Sequence, residues 1–481
     1  MTENNRYEPD TLVIGGRQQP AHSEARIPLV NPATEEEFGS IVDGDEVDID
    51  NAVRAAEAAA ADWAARTPAE RAEYILKLAD VLEERAEDLA QLITQENGLP
   101  ISITRAHQAA VPREYRYFAS LADKVVPEEL IETANGDALV RRLPVGVVAI
   151  IAPWNGPQPL VGRKLAPALL AGCTVVIKPA AETSLDSYIL MEAIEAAGIP
   201  AGVVNLVTGG RETGAALVAH PGVRKVAFTG STRAGVAIGE ECARQFKHVT
   251  LELGGKSAGI LLDDVDLEAF RPWVLGACLP QSGQVCRALT RILAPADRYE
   301  EIVSFIGDVL STAKIGDPTE ATTVFGPLVN ATQYERVRSY IQIGLDEGAK
   351  VVVGGAERPA GVDRGYYVAP TLFRDVTNDM RINQEEIFGP VLTIMPYDSV
   401  DEAIAIANDS EYGLSGGVFS PDREKASEVA RRIESGSIGI NTAAMPLEAP
   451  FGGFKRSGIG REMGPNAADP YLETQTIYRA R

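Results

Sequence analysis

The sequence predicts an α/β protein built on two parallel-sheet units. Three observations carry this. Short β-branched runs alternate with helical stretches from Val145 to Leu262, a second alternating series runs from Tyr299 to Gly436, and a capped amphipathic helical pattern precedes both. The helical pattern comes first along the chain. Thr67-Pro68-Ala69-Glu70 is a capping box with proline at the first helical position. Ile75, Leu78, Ala79 and Leu82 follow at helical spacing, Leu89, Leu92 and Ile93 extend the stripe, and Gly98 and Pro100 close it. The first third of the chain therefore reads as helical packing. Strands are then expected at Val147–Ile151, Thr174–Ile177, Val203–Val207, Lys225–Thr229 and Ala258–Leu262, with helices at Ser184–Ala197 and Glu212–Ala219 between them. In the second series, strands fall near Lys350–Val353, Val391–Pro396 and Gly416–Phe419. The boundary between the two units is expected near Glu252–Gly255.

Composition narrows the function classes. A chain of 481 residues with 45% hydrophobic and 23% charged residues is an ordinary globular mix, long enough for two or three domains. Its net charge of −23 would be repelled by phosphate, and no basic run offsets that, so nucleic acid is not an expected partner. Four cysteines without C-x-x-C spacing and four scattered histidines point to neither a disulfide scaffold nor a metal centre. The start Met1-Thr2-Glu3-Asn4-Asn5-Arg6 is polar and leads into no apolar leader core, and the apolar stretches are too short to span a bilayer. A cytoplasmic location is the expectation.

Four segments could carry chemistry. Phe228-Thr229-Gly230-Ser231-Thr232 runs from an apolar strand into a helix start, where free amides and the helix dipole suit a phosphate; a plain strand-to-helix turn reads the same way. Leu251-Glu252-Leu253-Gly254-Gly255-Lys256-Ser257 imitates a P-loop, but the required first glycine is Thr250, so the ATPase reading fails. Glu252, between two leucines, is either a desolvated general base or a salt-bridged structural residue. Gly283-Gln284-Val285-Cys286 places a cysteine after a glycine turn, either an exposed nucleophile or a filler; Cys173 and Cys278 lie in small apolar sequence that suits filling. Pro153-Trp154-Asn155-Gly156-Pro157 follows a strand directly, where an Asn amide could hold an oxyanion or simply shape a turn.

In this order and spacing the segments resemble the aldehyde dehydrogenase superfamily across nearly the whole chain. Lys178-Pro179-Ala180-Ala181-Glu182-Thr183, Glu386-Ile387-Phe388-Gly389-Pro390 and Pro450-Phe451-Gly452-Gly453-Phe454-Lys455-Arg456-Ser457-Gly458 add to the match. The resemblance implies a Rossmann-like cofactor domain (1–124 and 145–255), a second α/β catalytic domain (256–457) and a small β oligomerisation element (125–144 and 458–481). The Asn135-Gly136 turn signal lies in that element, and a homodimer or homotetramer is implied.

The implied reaction oxidises an aldehyde to the acid through a thioester on Cys286. Asn155 would stabilise the oxyanion, Glu252 would activate water, and Lys164 and Glu462 would relay its proton. The cofactor residues implied are Ile151, Pro153, Trp154, Lys178, Glu182, Gly210, Gly214, Phe228, Gly230, Ser231, Leu253, Glu386 and Phe388. Glu182, placed to meet the adenosine ribose, favours NAD⁺ over NADP⁺. The implied substrate tunnel is formed by Gly156, Leu160, Arg163, Val285, Arg287, Ala443 and Phe451.

Gly156 stands where relatives commonly carry Phe, and Asn441–Pro446 uses small residues where aromatics are frequent. Together they suggest a wide tunnel for a bulky or apolar aldehyde, unless other side chains fill the space. Arg163 and Arg287 could bind a substrate carboxylate or turn to protein partners. Two rivals are a CoA-acylating enzyme, which usually lacks the glutamate base, and a retired homologue that only binds small molecules or nucleotides.

Overall fold

The computed structural model describes residues 7–480. The polar stretch Met1–Arg6 and Arg481 lie outside the described residues. Among the described residues no helix is long and apolar enough to cross a membrane, and no group of His, Cys, Asp and Glu could hold a metal ion.

Two sheets organise the chain. The first has eight strands, in the order Arg17–Pro20, Thr11–Ile14, Val204–Leu206, Thr174–Lys178, Val147–Ile151, Val223–Thr229, His248–Glu252 and Gly458–Ile459. Its five central strands are parallel, and the outer ones pair antiparallel. The second has seven, in the order Lys350–Gly355, Ala369–Arg374, Val391–Tyr397, Arg291–Pro295, Ala258–Leu261, Ser415–Phe419 and Ser437–Ile440. All are parallel except the first pair.

The strand runs are nearly all apolar because both faces are covered. Val148 and Ile150 join one core and Val147, Ala149 and Ile151 the core on the opposite face. Each of these valine and isoleucine side chains contributes about 1.5–3 kcal/mol relative to exposure. A third, antiparallel sheet pairs Leu472–Ala480 with Gly136–Pro144 and that strand with Glu128–Thr133. Thr133 pairs with Gly136, so the turn is Ala134-Asn135 and Gly136 is already the first strand residue.

The structure departs from the sequence reading in two places. The first third is not wholly helical: Thr11–Ile14, Arg17–Pro20, Arg26–Asn31 and Glu36–Val42 are strands. Arg17–Pro20 is polar and largely exposed, and the Arg26–Val42 strands mix apolar and polar residues with only Leu29, Ile41 and Val42 buried, so neither shows a regular apolar alternation. Residues from 458 onward do not all belong with the bridging element. Gly458–Ile459 pairs with Leu251 and Glu252, supplying ladder partners to an edge that would otherwise be left unpaired.

Helix Pro68–Glu84 starts with the expected reciprocal bonds between Thr67 and Glu70. It joins helices Glu46–Ala64, Ala86–Asn97 and Ile101–Ala119. The consequence for function is directional. Ile151, Lys178, Thr229 and Glu252 all end parallel strands, so the segments that follow them gather at one edge of the first sheet.

Candidate active site

Asn155 leaves the end of strand Val147–Ile151, just before helix Pro157–Ala171. It is buried, and its Nδ2 donates to the Gln284 carbonyl at 2.8 Å. That bond spans the two sheet units and uses one of the amide's two N–H groups, leaving the second for a ligand. Cys286 lies two residues beyond Gln284, in a turn reached through a strained segment. Gln281 and Ser282 are left-handed, and Gly283 (φ +73°) would put a Cβ only 2.0 Å from the Gly389 carbonyl. The loop is fixed by Val329 N–H to Gln284 Oε1 (3.1 Å) and Ser282 Oγ to the Gly326 carbonyl (3.0 Å). Burial pushes the Cys286 thiol up to about 12, Glu386 and Glu252 add to that, and Arg287 opposes it.

Glu252 ends its strand buried, and among the described residues neither carboxylate oxygen has a hydrogen-bond partner. Among the described residues no basic group comes within ion-pair distance of it. Burial and then the Glu462 charge hold Glu252 well above the usual carboxylate range, against Lys164 and Arg461. Lys164 Nζ lies 2.9 Å from Glu462 Oε1 and donates to Thr229 Oγ1 at 2.6 Å. An unpaired carboxylate in such surroundings is a strong mark of a working group rather than a structural one.

A cavity of about 560 Å³ has Cys286 and Asn155 in its lining. Of the tunnel residues expected from sequence, Gly156, Leu160, Val285, Arg287 and Phe451 line it. A Cβ on Gly156 would make ordinary van der Waals contact with Leu160 at 3.5 Å and Pro159 at 3.7 Å. Two expected residues do not line it. Arg163 forks onto Glu114 with bonds of 3.1 and 2.6 Å, because a bidentate carboxylate within reach outcompetes an apolar tunnel for a guanidinium. Ala443 faces a neighbouring cavity of about 320 Å³, where its carbonyl accepts from Arg287 Nη1 at 2.8 Å.

The structure adds His107 and Gln281, whose side-chain nitrogens lie 3.1 Å apart in the cavity wall. Burial, with Arg163 and Arg287 nearby, pushes His107 down to about 4, so it is neutral. His107 sits mid-helix in a run read as packing, and no local signal marked it.

The second cleft edge fits a dinucleotide. Ser231 caps helix Thr232–Arg244 through Ala234 N–H. A Cβ on Gly230 would lie 2.4 Å from the Phe228 ring, so only glycine leaves room for close approach there. Lys178 Nζ donates to the Pro179 and Gly209 carbonyls at 2.6 and 2.8 Å; burial pushes it down to about 8, opposed by Glu182 and Asp43. Glu182 accepts from Asn330 Nδ2 at 3.0 Å. Gly214 packs on the Lys178 stem, Gly210 N–H donates to Asp43, and Leu253 fills the space against Gly235.

Across the cleft, Trp154 meets Phe388 edge-on at 5.3 Å. Phe388 is held at φ +63° by Gln333, which donates to its carbonyl at 2.7 Å. Glu386 Oε1 accepts from Gly255 N–H at 3.1 Å, and burial pushes its carboxyl up to about 7.

The model of the aldehyde dehydrogenase family matches residues 19–477. The chain belongs to the aldehyde dehydrogenase family. A relative from Castellaniella defragrans named geranial dehydrogenase is 47% identical over 471 residues, covering 97% of this chain and 98% of its own. Aldehyde dehydrogenase C of Pseudomonas syringae, solved as a cysteine-to-alanine mutant with NAD⁺ and octanal, superposes with a TM-score of 0.95. It is 41% identical, covering 98% of this chain and 96% of that one. A Mycobacterium tuberculosis aldehyde dehydrogenase solved with NAD⁺ also gives 0.95, with 43% identity and 98% coverage of both chains. This aldehyde dehydrogenase shares their mixed α/β fold.

Proposed function

We propose that this enzyme oxidises a bulky, apolar aldehyde to its carboxylic acid with Cys286 as nucleophile. The observation that supports the assignment of roles is the Asn155–Gln284 bond, which ties Asn155 to the thiol loop where Asn155 and Cys286 both border one cavity. The Cys286 thiolate attacks the aldehyde carbon; the C–S bond forms and the carbonyl π pair moves to oxygen. The free Asn155 N–H and the Cys286 backbone N–H hold that alkoxide, each donor contributing about 3 kcal/mol in the transition state. Bound NAD⁺ supplies the hydride acceptor, and the residues that would hold it are Lys178, Glu182, Gly230, Ser231, Trp154, Glu386 and Phe388.

The thioester left on Cys286 is then hydrolysed. Glu252 takes a proton from water, the hydroxyl oxygen adds to the acyl carbon, and the thiolate leaves. Lys164 and Glu462 pass the proton on. Water, not CoA, is the acyl acceptor in this reading, because Glu252 stands unpaired and ready for it.

Two features support the substrate class: the size of the cavity beside Gly156, with Leu160, Leu275, Leu279 and Val285 in its wall, and the apolar aldehydes that two relatives are named for or were solved with. Gly156→Phe is expected to cut kcat/KM for octanal by about tenfold or more while acetaldehyde loses under about threefold. Equal losses for both would sink the wide-tunnel reading. NAD⁺ is the preferred dinucleotide, because a 2′-phosphate would enter against the Glu182 and Asp43 carboxylates that flank Lys178. Its kcat/KM should exceed that of NADP⁺ by at least about tenfold, and a higher value with NADP⁺ overturns the preference.

The division of labour follows the sheets: the first holds the dinucleotide, the second the thiol loop. The three-stranded sheet bridges protomers in a cytoplasmic homodimer or homotetramer.

A further inference from the structure

The turn that carries Asn155 is held by a second buried amide, which the reaction as proposed does not use. Asn97 ends helix Ala86–Asn97 and is 1% exposed. Its Oδ1 accepts from Leu99 N–H at 2.9 Å, which turns its Nδ2 the other way, to donate to the Trp154 carbonyl at 3.3 Å. That carbonyl belongs to the peptide bond joining Trp154 to Asn155. Pro153–Gly156 lie in neither strand Val147–Ile151 nor helix Pro157–Ala171, so their backbone has to find partners outside both.

Asn97 is itself fixed from the far side. Gly98 closes the helix at φ +75°, and a Cβ there would lie 2.5 Å from Pro327 Cγ and 2.9 Å from Pro32 Cγ. A Cβ on Gly326 would lie 2.2 Å from the Gly98 carbonyl oxygen, so these two backbones pack directly on each other. Ile101 N–H donates to the Pro318 carbonyl at 2.7 Å. Gly326 is also the residue whose carbonyl accepts from Ser282 Oγ in the strained approach to Cys286. Residues 97–101 therefore meet the Asn155 turn on one side and, through Gly326, the thiol loop on the other.

We infer that Asn97 is a positioning residue for the oxyanion site: its amide fixes the Trp154–Asn155 peptide, and the segment it heads sets the separation between that turn and the Cys286 loop. The inference rests on the reading of Asn155 as the oxyanion donor. The bond from Asn155 Nδ2 to the Gln284 carbonyl constrains the side chain, and Asn97 constrains the backbone that carries it. A preorganised donor works through its placement, and a shift of about 1 Å at a reacting centre costs up to about 10²-fold. A residue that acts only by placing Asn155 has little left to do once Asn155 is gone, whereas independent packing losses multiply.

The test is a double-mutant cycle on the full-length enzyme: wild type, Asn97→Asp, Asn155→Ala and the pair together, with octanal and saturating NAD⁺. Asn97→Asp keeps the size of the side chain and an acceptor for Leu99, and sets an oxygen against the Trp154 carbonyl in place of the donor. The rate of the first-turnover NADH burst is the readout. It should fall about ten- to thirtyfold in Asn97→Asp and about 10²–10³-fold in Asn155→Ala, while Asn97→Asp costs less than about threefold more where residue 155 is already alanine. Should Asn97→Asp not fold, Asn97→Ser, uncharged and too short to reach the Trp154 carbonyl, takes its place in the same cycle with the same non-additivity expected. Losses that multiply in full, or a single variant at Asn97 within about twofold of wild type, overturn the proposal. Asn155→Ala is the control: a burst rate within about tenfold of wild type sinks the reading of Asn155 itself, whereas multiplying losses beside a crippled Asn155→Ala sink only that of Asn97.

Discussion

Replacing Cys286 with alanine is expected to abolish aldehyde-dependent NADH formation, lowering kcat by at least about 10³-fold while NAD⁺ still binds. Both halves of the reaction need the sulfur: it forms the bond that turns a planar carbonyl into a hydride donor, and it carries the acyl group afterwards. Of the four cysteines, Cys173, Cys242 and Cys278 are buried, and only Cys286 borders the cavity. The other three cannot substitute for it. A stopped-flow trace of Cys286→Ala with octanal should show neither burst nor steady state. Turnover within about tenfold of wild type would falsify the assignment.

The ligand-free thiol has its own signature. Because it is pushed up to about 12, its thiolate fraction grows about tenfold per pH unit between pH 7 and 10, and alkylation by iodoacetamide should climb with it.

The second large effect separates the two half-reactions. Glu252→Gln keeps the size of the side chain and removes its ability to accept a proton. Acylation of Cys286 needs no base on the water side, so a burst of about one NADH per active site should remain. Hydrolysis should then slow by about 10²–10⁴-fold, and the acyl-enzyme should persist long enough to be seen by mass. The pH dependence follows from the sign of the shift. A carboxyl held well above its usual range is ionised only as the pH rises through that raised value, so wild-type hydrolysis climbs with pH and levels off. The climb should vanish in Glu252→Gln. Steady-state turnover that survives unchanged, with the wild-type pH profile, would exclude Glu252 as the base.

Much of the architecture was legible because its signals are local. Thr67 and Glu70 sit three residues apart and cap a helix through their own backbone; Val147–Ile151 reads as a strand because it is a short β-branched run, and the structure buries all five residues. The strands between Thr11 and Val42 were not legible: Thr11–Ile14 is buried but only four residues long, Arg17–Pro20 is polar and exposed, and Arg26–Val42 mixes apolar and polar residues without a regular alternation. The same divide runs through the site. Cys286, Asn155, Glu252, Gly230 and Ser231 stand in short motifs whose residue types suit their chemistry. His107 and Gln281 do not, because one is a helix residue and the other a loop residue 174 positions away, and only folding makes them neighbours.

The sequence by itself determined the family, the strand-then-helix order and the residue types of the reaction, all of which are properties of short stretches of chain. Only the tertiary structure decided what each charged group answers to. It turned Arg163 away to Glu114, gave the Ala443 carbonyl to Arg287 and left the Glu252 carboxylate, among the described residues, without a hydrogen-bond partner. The physical reason is that burial and Coulomb energy are sums over atoms brought together from distant segments. A motif can specify a carboxylate, but its proton affinity depends on everything packed around it.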